Sequence, residues 1–390
     1  MKKRKLLITK YNDSLVSLLI DSEGRTVRIN AETGNKKSLL GNIYAGNVTD
    51  VIKGMNAAFV EFADGQRGFL QLDEKAEPIF LNKRRRSGAI RQGDIIMVQV
   101  AGDAIKTKDS VLSMKISIAG KYAVLAVGMK GIKVSTKIEN EEFRSAMAEL
   151  TAGMAGENYG FIIRTAALKA DPSYIIRDIE NLKKEWKTIR EKAVGKKKGL
   201  LHGELPFYLS DYIACAAEID EIVTDDTNCL SNIKRLLNEF YPEDIKNLRA
   251  YGSLKVMMKT AYGLKGRIAD ATGKMVRLKS GAFLVIEPTE ALVAIDVNSG
   301  KAVKPDFLKI NLEAAKEVAR QLRLRNLSGL IVVDFISMRS KEDNDKLIQT
   351  MKEYLHDDPL KPKAVDMTAL GLLEITRKKV RRPLYEILDI

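Results

Sequence analysis

Two apolar runs in the last third of the chain end on an aspartate: ALVAID closes on Asp296 and LIVVD on Asp334. A carboxylate at the end of a buried strand is costly unless something compensates, and a divalent cation is the commonest compensation. Asn298 follows two residues after Asp296, and on a continuing strand it projects to the same side. Its amide can hold a phosphate oxygen or an attacking water. Two hard carboxylate oxygens with room for water match Mg²⁺, or Mn²⁺, rather than zinc. The chemistry that follows is attack of a metal-activated water on a phosphodiester, with the cation neutralising charge on the phosphoryl oxygens. The spacing alone fits equally well two aspartates that cap turns or pair with arginine.

A strand–helix–strand unit would bring the two carboxylates to one sheet edge. The intervening NLEAAKEVARQLRLRN has helical spacing, with Leu312, Ala315, Ala319 and Leu322 as its apolar stripe. Lys316, Arg320 and Arg323 form a basic stripe, read either as phosphate contacts or as partners of Glu313 and Glu317. The tail ITRKKVRR is a further basic run.

Upstream, residues 1–36 read as a small antiparallel start (KLLITKY, SLVSLLID, RTVRINAE). Residues 37–118 hold short β segments with glycine punctuation, the spacing of a small closed barrel. Alternation places Ala58, Val60, Gly68, Leu70 and Leu72 on one face, and Phe59, Glu61, Arg67, Phe69 and Gln71 on the other. Exposed Phe59 and Phe69 beside Arg67, Lys106 and Lys108 suit single-stranded RNA, in which bases stack on rings while cations meet phosphates; a contact with a neighbouring domain would also use those rings. Lys83, Arg84, Arg85 and Arg86 read as a solvated loop or a phosphate contact. Residues 119–205 carry the strands YAVLAV and GFIIRTAA, a helix EEFRSAMAELTAGM and a long helix from Pro172. The long helix has Ile175, Ile179, Leu182, Trp186 and Ile189 on its buried stripe, and its lysine-rich opposite face reads as solvation. Arg164-Thr165 at a strand end pairs a guanidinium with a hydroxyl, which suits a terminal phosphate. Residues 206–278 are mixed α/β without evident chemistry.

Composition sets the outer limits. The 390 residues carry a formal charge of +14, are 45% hydrophobic and 30% charged, and include only 6% aromatics. A disordered, collagen-like or disulfide-stapled chain is excluded. The most apolar stretch, SGAFLVIEPTEALVAIDV, is broken by Glu287, Pro288, Glu290 and Asp296, so no membrane segment is expected. KKRK is followed by too short an apolar run for a signal peptide. Cys215 and Cys229 make no zinc or redox spacing and read as buried thiols in a reducing cytosol; with only His202 and His356, a histidine metal site or a Ser-His-Asp triad is not expected. The positive charge calls for an anionic partner, nucleic acid in the first place.

Six segments resemble the ribonuclease E/G family of bacterial endoribonucleases. They are GNIYAGNVTDVIKGMNAAFVEF, RGFLQL, GFIIRTAA, FLVIEPTEALVAIDVNSG, NLEAAKEVARQLRLRNLSGLIVVDFISM and LGLLEITRKKVRRPL, in the family's order across nearly the whole chain. The resemblance implies an α/β and β multidomain fold. A discontinuous ribonuclease-H-like subdomain (1–36 and 206–278) holds an inserted OB-fold RNA-binding barrel (37–118) and a 5′-sensor subdomain (119–205). A deoxyribonuclease-I-like catalytic subdomain (279–390) follows. By position, the resemblance puts the magnesium aspartates on Asp296 and Asp334 and the catalytic asparagine on Asn298. It puts the 5′-monophosphate sensor on Arg164, Thr165 and Val124, and RNA contacts on Phe59, Phe69, Lys108 and Lys361. The implied activity is Mg²⁺-dependent cleavage of single-stranded RNA in RNA processing and decay in the cytoplasm, leaving 5′-phosphate and 3′-hydroxyl ends.

Three departures qualify this. The chain stops at Ile390, about where the family's Cys-x-x-Cys pair begins, so no zinc is expected and any homodimer would lack that link. Ser337 stands where an aspartate is usual. Thr136-Lys137 replaces a basic pair, which would weaken the sensor pocket. Two other readings stay open: a non-catalytic RNA-binding relative, and a phosphoesterase acting on DNA or a small ester.

Overall fold

The computed structural model describes residues 4–34, 37–72, 76–82, 87–105, 108–253, 255–300, 306–356 and 358–390. The chain is mixed α/β and divides into two compact units, residues 1–8 with 37–250, and 9–36 with 251–390.

In the first unit, five strands close into an OB-like barrel. Ile43–Ile52, Ala57–Ala63, Gln66–Gln71, Ser110–Ser113 and Ile95–Gly102 neighbour one another in that order, and the last pairs back onto the first from Ile43↔Gln99 to Asn47↔Ile95. The expected alternation holds: Ala58, Val60, Phe62 and Leu70 fill the interior with Val48, Ile96, Val98 and Leu112. Gly68 is needed for this closure, since a Cβ there would sit 2.6 Å from the Leu112 side chain.

A second sheet orders Ile132–Val134, Tyr159–Ile163, Ala123–Val127 and Ser117–Ala119. Against it packs the helix Pro172–Ala193, started by Pro172 and by the Asp171 side chain, which accepts from the Ser173 N–H. Ile175, Ile179, Leu182, Trp186 and Ile189 are its buried stripe, as the spacing predicts. The antiparallel start holds for Ser14–Asp21 and Thr26–Thr33, paired from Ser14↔Thr33 to Ile20↔Thr26, and the N-terminal strand Arg4–Tyr11 adds a parallel partner that the local pattern does not announce. It runs parallel to Ile219–Thr224, with Leu6↔Ile222 and Ile8↔Thr224, and Ile222 in turn pairs with Leu248. Its partner lies more than 200 positions away, beyond what local alternation can reveal.

The second unit centres on a six-stranded sheet. Its order is Met275–Arg277, Phe283–Pro288, Leu292–Asn298, Gly329–Asp334, Leu372–Arg377 and Lys363–Met367. The apolar stretch that could not cross a membrane is two of these strands, paired antiparallel from Phe283↔Asn298 to Pro288↔Val293. Leu284, Ile286, Val293, Ile295, Val297, Ile331, Val333, Leu373 and Ile375 form one face. It is buried under the helices Phe307–Leu324 and Lys341–His356 through Ala314, Ala315, Val318, Leu322, Leu347 and Met351. Each fully buried aliphatic side chain contributes about 1.5–3 kcal/mol, so a one-residue slip in register is strongly disfavoured. The other face of the sheet is left to polar and half-buried residues.

Candidate active site

Strand register brings the two aspartates together. Leu292–Asn298 and Gly329–Asp334 are adjacent and parallel, and the last pair in the ladder is Asp296↔Asp334. Side chains of residues paired in register on neighbouring strands share a face, and the strands run about 4.8 Å apart. Both aspartates are exposed, on the face opposite the core, while Ile295, Val297 and Val333 beside them point inward. The sandwich of Asp296 between Val285 and Asp334, and of Asp334 between Asp296 and Leu372, fixes both backbones. The Asn298 Nδ2 donates to the Asp296 Oδ2 at 2.7 Å, so the amide expected on the same side is there and already orients one carboxylate.

The loop after Asp334 is clamped from the helix. Asn311 is fully buried; its Nδ2 donates to the Ile336 carbonyl at 2.8 Å, and its Oδ1 accepts from the Ile336 N–H at 3.1 Å. Phe335 packs into the core between. The first residues of Asp334's strand are anchored by Arg377, whose guanidinium binds Asp358 at 2.8 Å, the Asn326 side chain and the Leu327 carbonyl. The basic tail therefore begins with a buried structural arginine. The basic stripe of the helix resolves similarly. Arg320 binds the Glu317 carboxylate through Nε and Nη2 and the Thr26 carbonyl through Nη1, and Arg323 donates to the Tyr354 carbonyl. Glu313 instead accepts from the backbone of Lys279 and Ser280. Pairing, not free cationic surface, describes Arg320.

Asp296 and Asp334 offer hard oxygen donors side by side. Among the described residues no group of three or more His, Cys, Asp or Glu is placed to hold a metal ion. A cation here would therefore take most of its ligands from water and substrate, which is the habit of Mg²⁺ and not of zinc. Cys215 is half-buried, unlike the buried thiol expected; Cys229 is buried, and the two form no disulfide.

The barrel residues also converge. Phe59 and Phe69 are directly paired across neighbouring strands, with ring centroids 5.9 Å apart in an edge-on arrangement. Both are half-buried on the outer face. The Arg67 guanidinium lies over the Phe59 ring at 4.4 Å and binds Asp109 at 3.2 Å. Lys108 is exposed next to that aspartate, and half-exposed Val111 pairs with Phe69. Lys83–Arg86 and Lys106 lie outside the described residues. Lys361 is exposed and stands apart from the carboxylates in the second unit. It precedes the strand whose Lys363 pairs with Thr376, and Thr376 pairs with Leu330, four residues before Asp334.

The third group presents one surprise. Val124 pairs with Ile162 on the half-buried face of the second sheet, and Arg164 follows that strand directly. Thr165 is exposed. The Arg164 guanidinium, however, donates to three backbone carbonyls: Gly120 at 2.5 Å and Ile213 at 3.0 Å from Nη1, Ala214 at 3.1 Å from Nη2. Burial pulls its pKa below the ordinary arginine value, with the Asp178 charge opposing. Asp178 organises this corner. It accepts from the N–H groups of Tyr122 and Ala123 at 2.7 and 3.0 Å and from the Tyr241 hydroxyl at 3.0 Å, and desolvation raises its pKa against those bonds. Beside it, Lys121 binds Asp244 at 2.6 Å and Arg177 binds Glu243 at 2.5 Å. Sequence reading missed Asn311 and Asp178. Each carries the same signal: a polar residue on an otherwise apolar helical stripe.

Among the described residues no helix is long and apolar enough to cross a membrane. A model of the Ribonuclease E/G family matches residues 117–380. Ribonuclease G of Haemophilus influenzae is 33% identical over 97% of this chain and 79% of its own length. Ribonuclease G of Escherichia coli K12 is 32% identical over 92% of this chain and 77% of its own. Ribonuclease E of Synechocystis is 32% identical over 91% of this chain, which spans 54% of that longer protein. With the aspartate pair, the outer barrel aromatics and these matches together, the chain belongs to the ribonuclease E/G family, the endoribonucleases its sequence resembles.

Proposed function

We propose that this chain hydrolyses phosphodiesters within single-stranded RNA with the help of Mg²⁺ held by Asp296 and Asp334, leaving 5′-phosphate and 3′-hydroxyl ends. The ion, when bound, supplies a Lewis acid that neutralises charge growing on the phosphoryl oxygens. Asp296 and Asp334 hold it through oxygens set by strand register. Asn298 orients Asp296 through its Nδ2, leaving its second N–H and its Oδ1 for the scissile phosphate or the attacking water. Phe59 and Phe69 stack bases, each stack worth about 1–3 kcal/mol, while Lys108 and Arg67 meet phosphates. Arg164, Thr165 and Val124 receive a 5′-monophosphate and so favour substrates with that end. In this reading the barrel and sensor are inserted in a ribonuclease-H-like subdomain, the last 112 residues are deoxyribonuclease-I-like, and the protein works in the cytoplasm in RNA processing and decay.

The observation that carries the reading is the pairing of Asp296 with Asp334 beside the Asn298–Asp296 hydrogen bond. Asp296→Asn tests it. With Mg²⁺ and a single-stranded oligonucleotide the variant should cut about a thousandfold more slowly, the several kcal/mol that a catalytic ion supplies. Its metal-free RNA affinity should stay that of the wild type. Undiminished metal-dependent cutting would overturn the assignment, and a wild type that binds RNA without cutting it would favour a binding protein.

A further inference from the structure

The helix Pro172–Ala193 has an outer face that the site described above does not use. From Lys183 to Lys198 the chain carries eight Lys or Arg against two Glu, a net +6 out of the chain's +14 in sixteen residues. A groove of about 580 Å³ runs along this face; Lys183, Lys184, Lys187 and Arg190 outnumber Glu180 and Glu191 in its lining, with Trp186 and Tyr159 in its wall and Val194 at its end. Trp186 is 5% exposed and Val194 79% exposed.

A solvated helix face ordinarily interleaves charges so that residues three or four apart pair. Here Lys183 pairs with Glu180 at 2.8 Å and Lys187 only reaches Glu191 at 4.0 Å. Lys184, Arg190, Lys192, Lys196 and Lys197 are exposed. The helix dipole explains Arg190 and Lys192 in the last turn. It does not explain Lys184 and Lys187, which stand in mid-helix at a repelling spacing of three. Cations spaced along a groove with the Tyr159 ring in its wall fit a polyanion with stackable bases.

We propose that this groove is a second binding site for single-stranded RNA, one that takes a stretch of substrate beyond the part held by the barrel and the catalytic edge. The proposal rests on the ribonuclease reading above. The helix is 22 residues long, about 33 Å at 1.5 Å per residue, enough for several nucleotides. Lys184, Lys187 and Arg190 neutralise successive phosphates, and Tyr159, held edge-on by Phe161 with ring centroids 5.8 Å apart, offers a base a surface at the groove's side.

The test is the triple variant Lys184→Glu, Lys187→Glu, Arg190→Glu, whose three positions are exposed and bear no core contact. Binding is measured without metal across a salt series, with single strands of about eight and about thirty nucleotides, the shorter within the reach of one OB barrel. For the longer strand, affinity should fall at least about tenfold, and the slope of log K on log salt should become shallower by about two, three contacts at about 0.7 each. The shorter strand should bind as to the wild type, and the triple Lys184→Arg, Lys187→Arg, Arg190→Lys variant should bind both strands normally. An unchanged slope on the longer strand, an equal loss on both lengths, or a loss seen only with duplex RNA would overturn the proposal. A wild type that binds neither strand would instead bring down the ribonuclease reading itself.

Discussion

The aspartate edge and the Arg164 corner place their side chains by opposite means. Asp296 and Asp334 are held by backbone: two parallel strands in register, each flanked by a further strand, over a core that tolerates no slip. Arg164 is held by side chains and carbonyls gathered from Gly120, Ile213 and Ala214, with Asp178, Tyr241, Glu243 and Lys121 packed behind. The first arrangement presents exposed carboxylates that need only a cation. The second spends its guanidinium on internal bonds, so a phosphate arriving there must compete with carbonyls or take the remaining N–H groups. A register-built site is rigid and ready. A network-built site can answer its ligand by rearrangement, because its bonds are individually exchangeable.

The sharpest way to break that contrast is Gly120→Ala. The added Cβ would sit 2.5 to 2.8 Å from the Asp178 carboxylate. Asp178 cannot swing aside without losing its bonds to Tyr122, Ala123 and Tyr241. Overpacking and lost bonds together should cost the first unit about 3 kcal/mol, read as a lower melting temperature. The proposed 5′-monophosphate preference should vanish while the proposed Mg²⁺-dependent cutting of a 5′-hydroxyl strand persists. Preference intact in a destabilised protein would mean that the sensor does not depend on this corner.

The same contrast decides what could be read from the chain alone. Local patterns suffice for the barrel faces of Phe59 and Phe69, read from alternation, and for the two strands that carry Asp296 and Asp334, read from apolar runs. A closed barrel was legible in strand spacing, but not that Ile43–Asn47 closes it on Ile95–Gln99. Partners far along the chain carry no local mark. The parallel pairing of Arg4–Ile8 with Ile219–Thr224 was invisible for that reason, as was the Arg164 bond to Ile213. Arg320 could be read as a phosphate contact or as a partner of Glu317; only the folded helix, with Thr26 beside it, chose the second. Asn311 and Asp178 were legible in principle as polar residues on apolar stripes.

Asn311→Ala sharpens the claim that the aspartate edge is built by backbone. It leaves the Ile336 N–H and carbonyl without partners beside the core, at about 2 kcal/mol. If the clamp positions Asp334, Mn²⁺ affinity read by electron paramagnetic resonance should weaken about tenfold, as when an outer-shell partner of a ligand is lost, with faster exchange of the Ile336 amide. Asn311→Asp keeps the acceptor for that amide and should fall between. Faster exchange with unchanged Mn²⁺ affinity would mean that strand register alone suffices. RNA binding by the barrel offers an internal control, since Phe59 and Phe69 belong to the other unit.

The smallest effect belongs to the long helix Pro172–Ala193. Glu185 is raised to about 7 by desolvation, with the charges of Glu204 and Asp178 adding to it. His202, whose Nδ1 lies 3.5 Å from the Glu185 carboxylate, is lowered by its own burial and by Lys192. An acid whose folded pKa exceeds its unfolded value binds more protons folded than unfolded, so its contribution to stability declines as pH rises from about 4.5 to about 7. The histidine acts in the opposite sense: its folded pKa is depressed, so its contribution is lost as pH falls below about 6.5. Glu185→Gln removes the first term and leaves the second. The variant's melting temperature relative to wild type should therefore climb from pH 5 to about pH 7 and level off by pH 8. The Glu185 side chain keeps 40% of its surface in water, and that screening holds the gain below about 1 kcal/mol. A difference that stays flat across this range would mean that Glu185 ionises freely, and that the Arg164 network ends at Asp178 without reaching the outer turns of the helix.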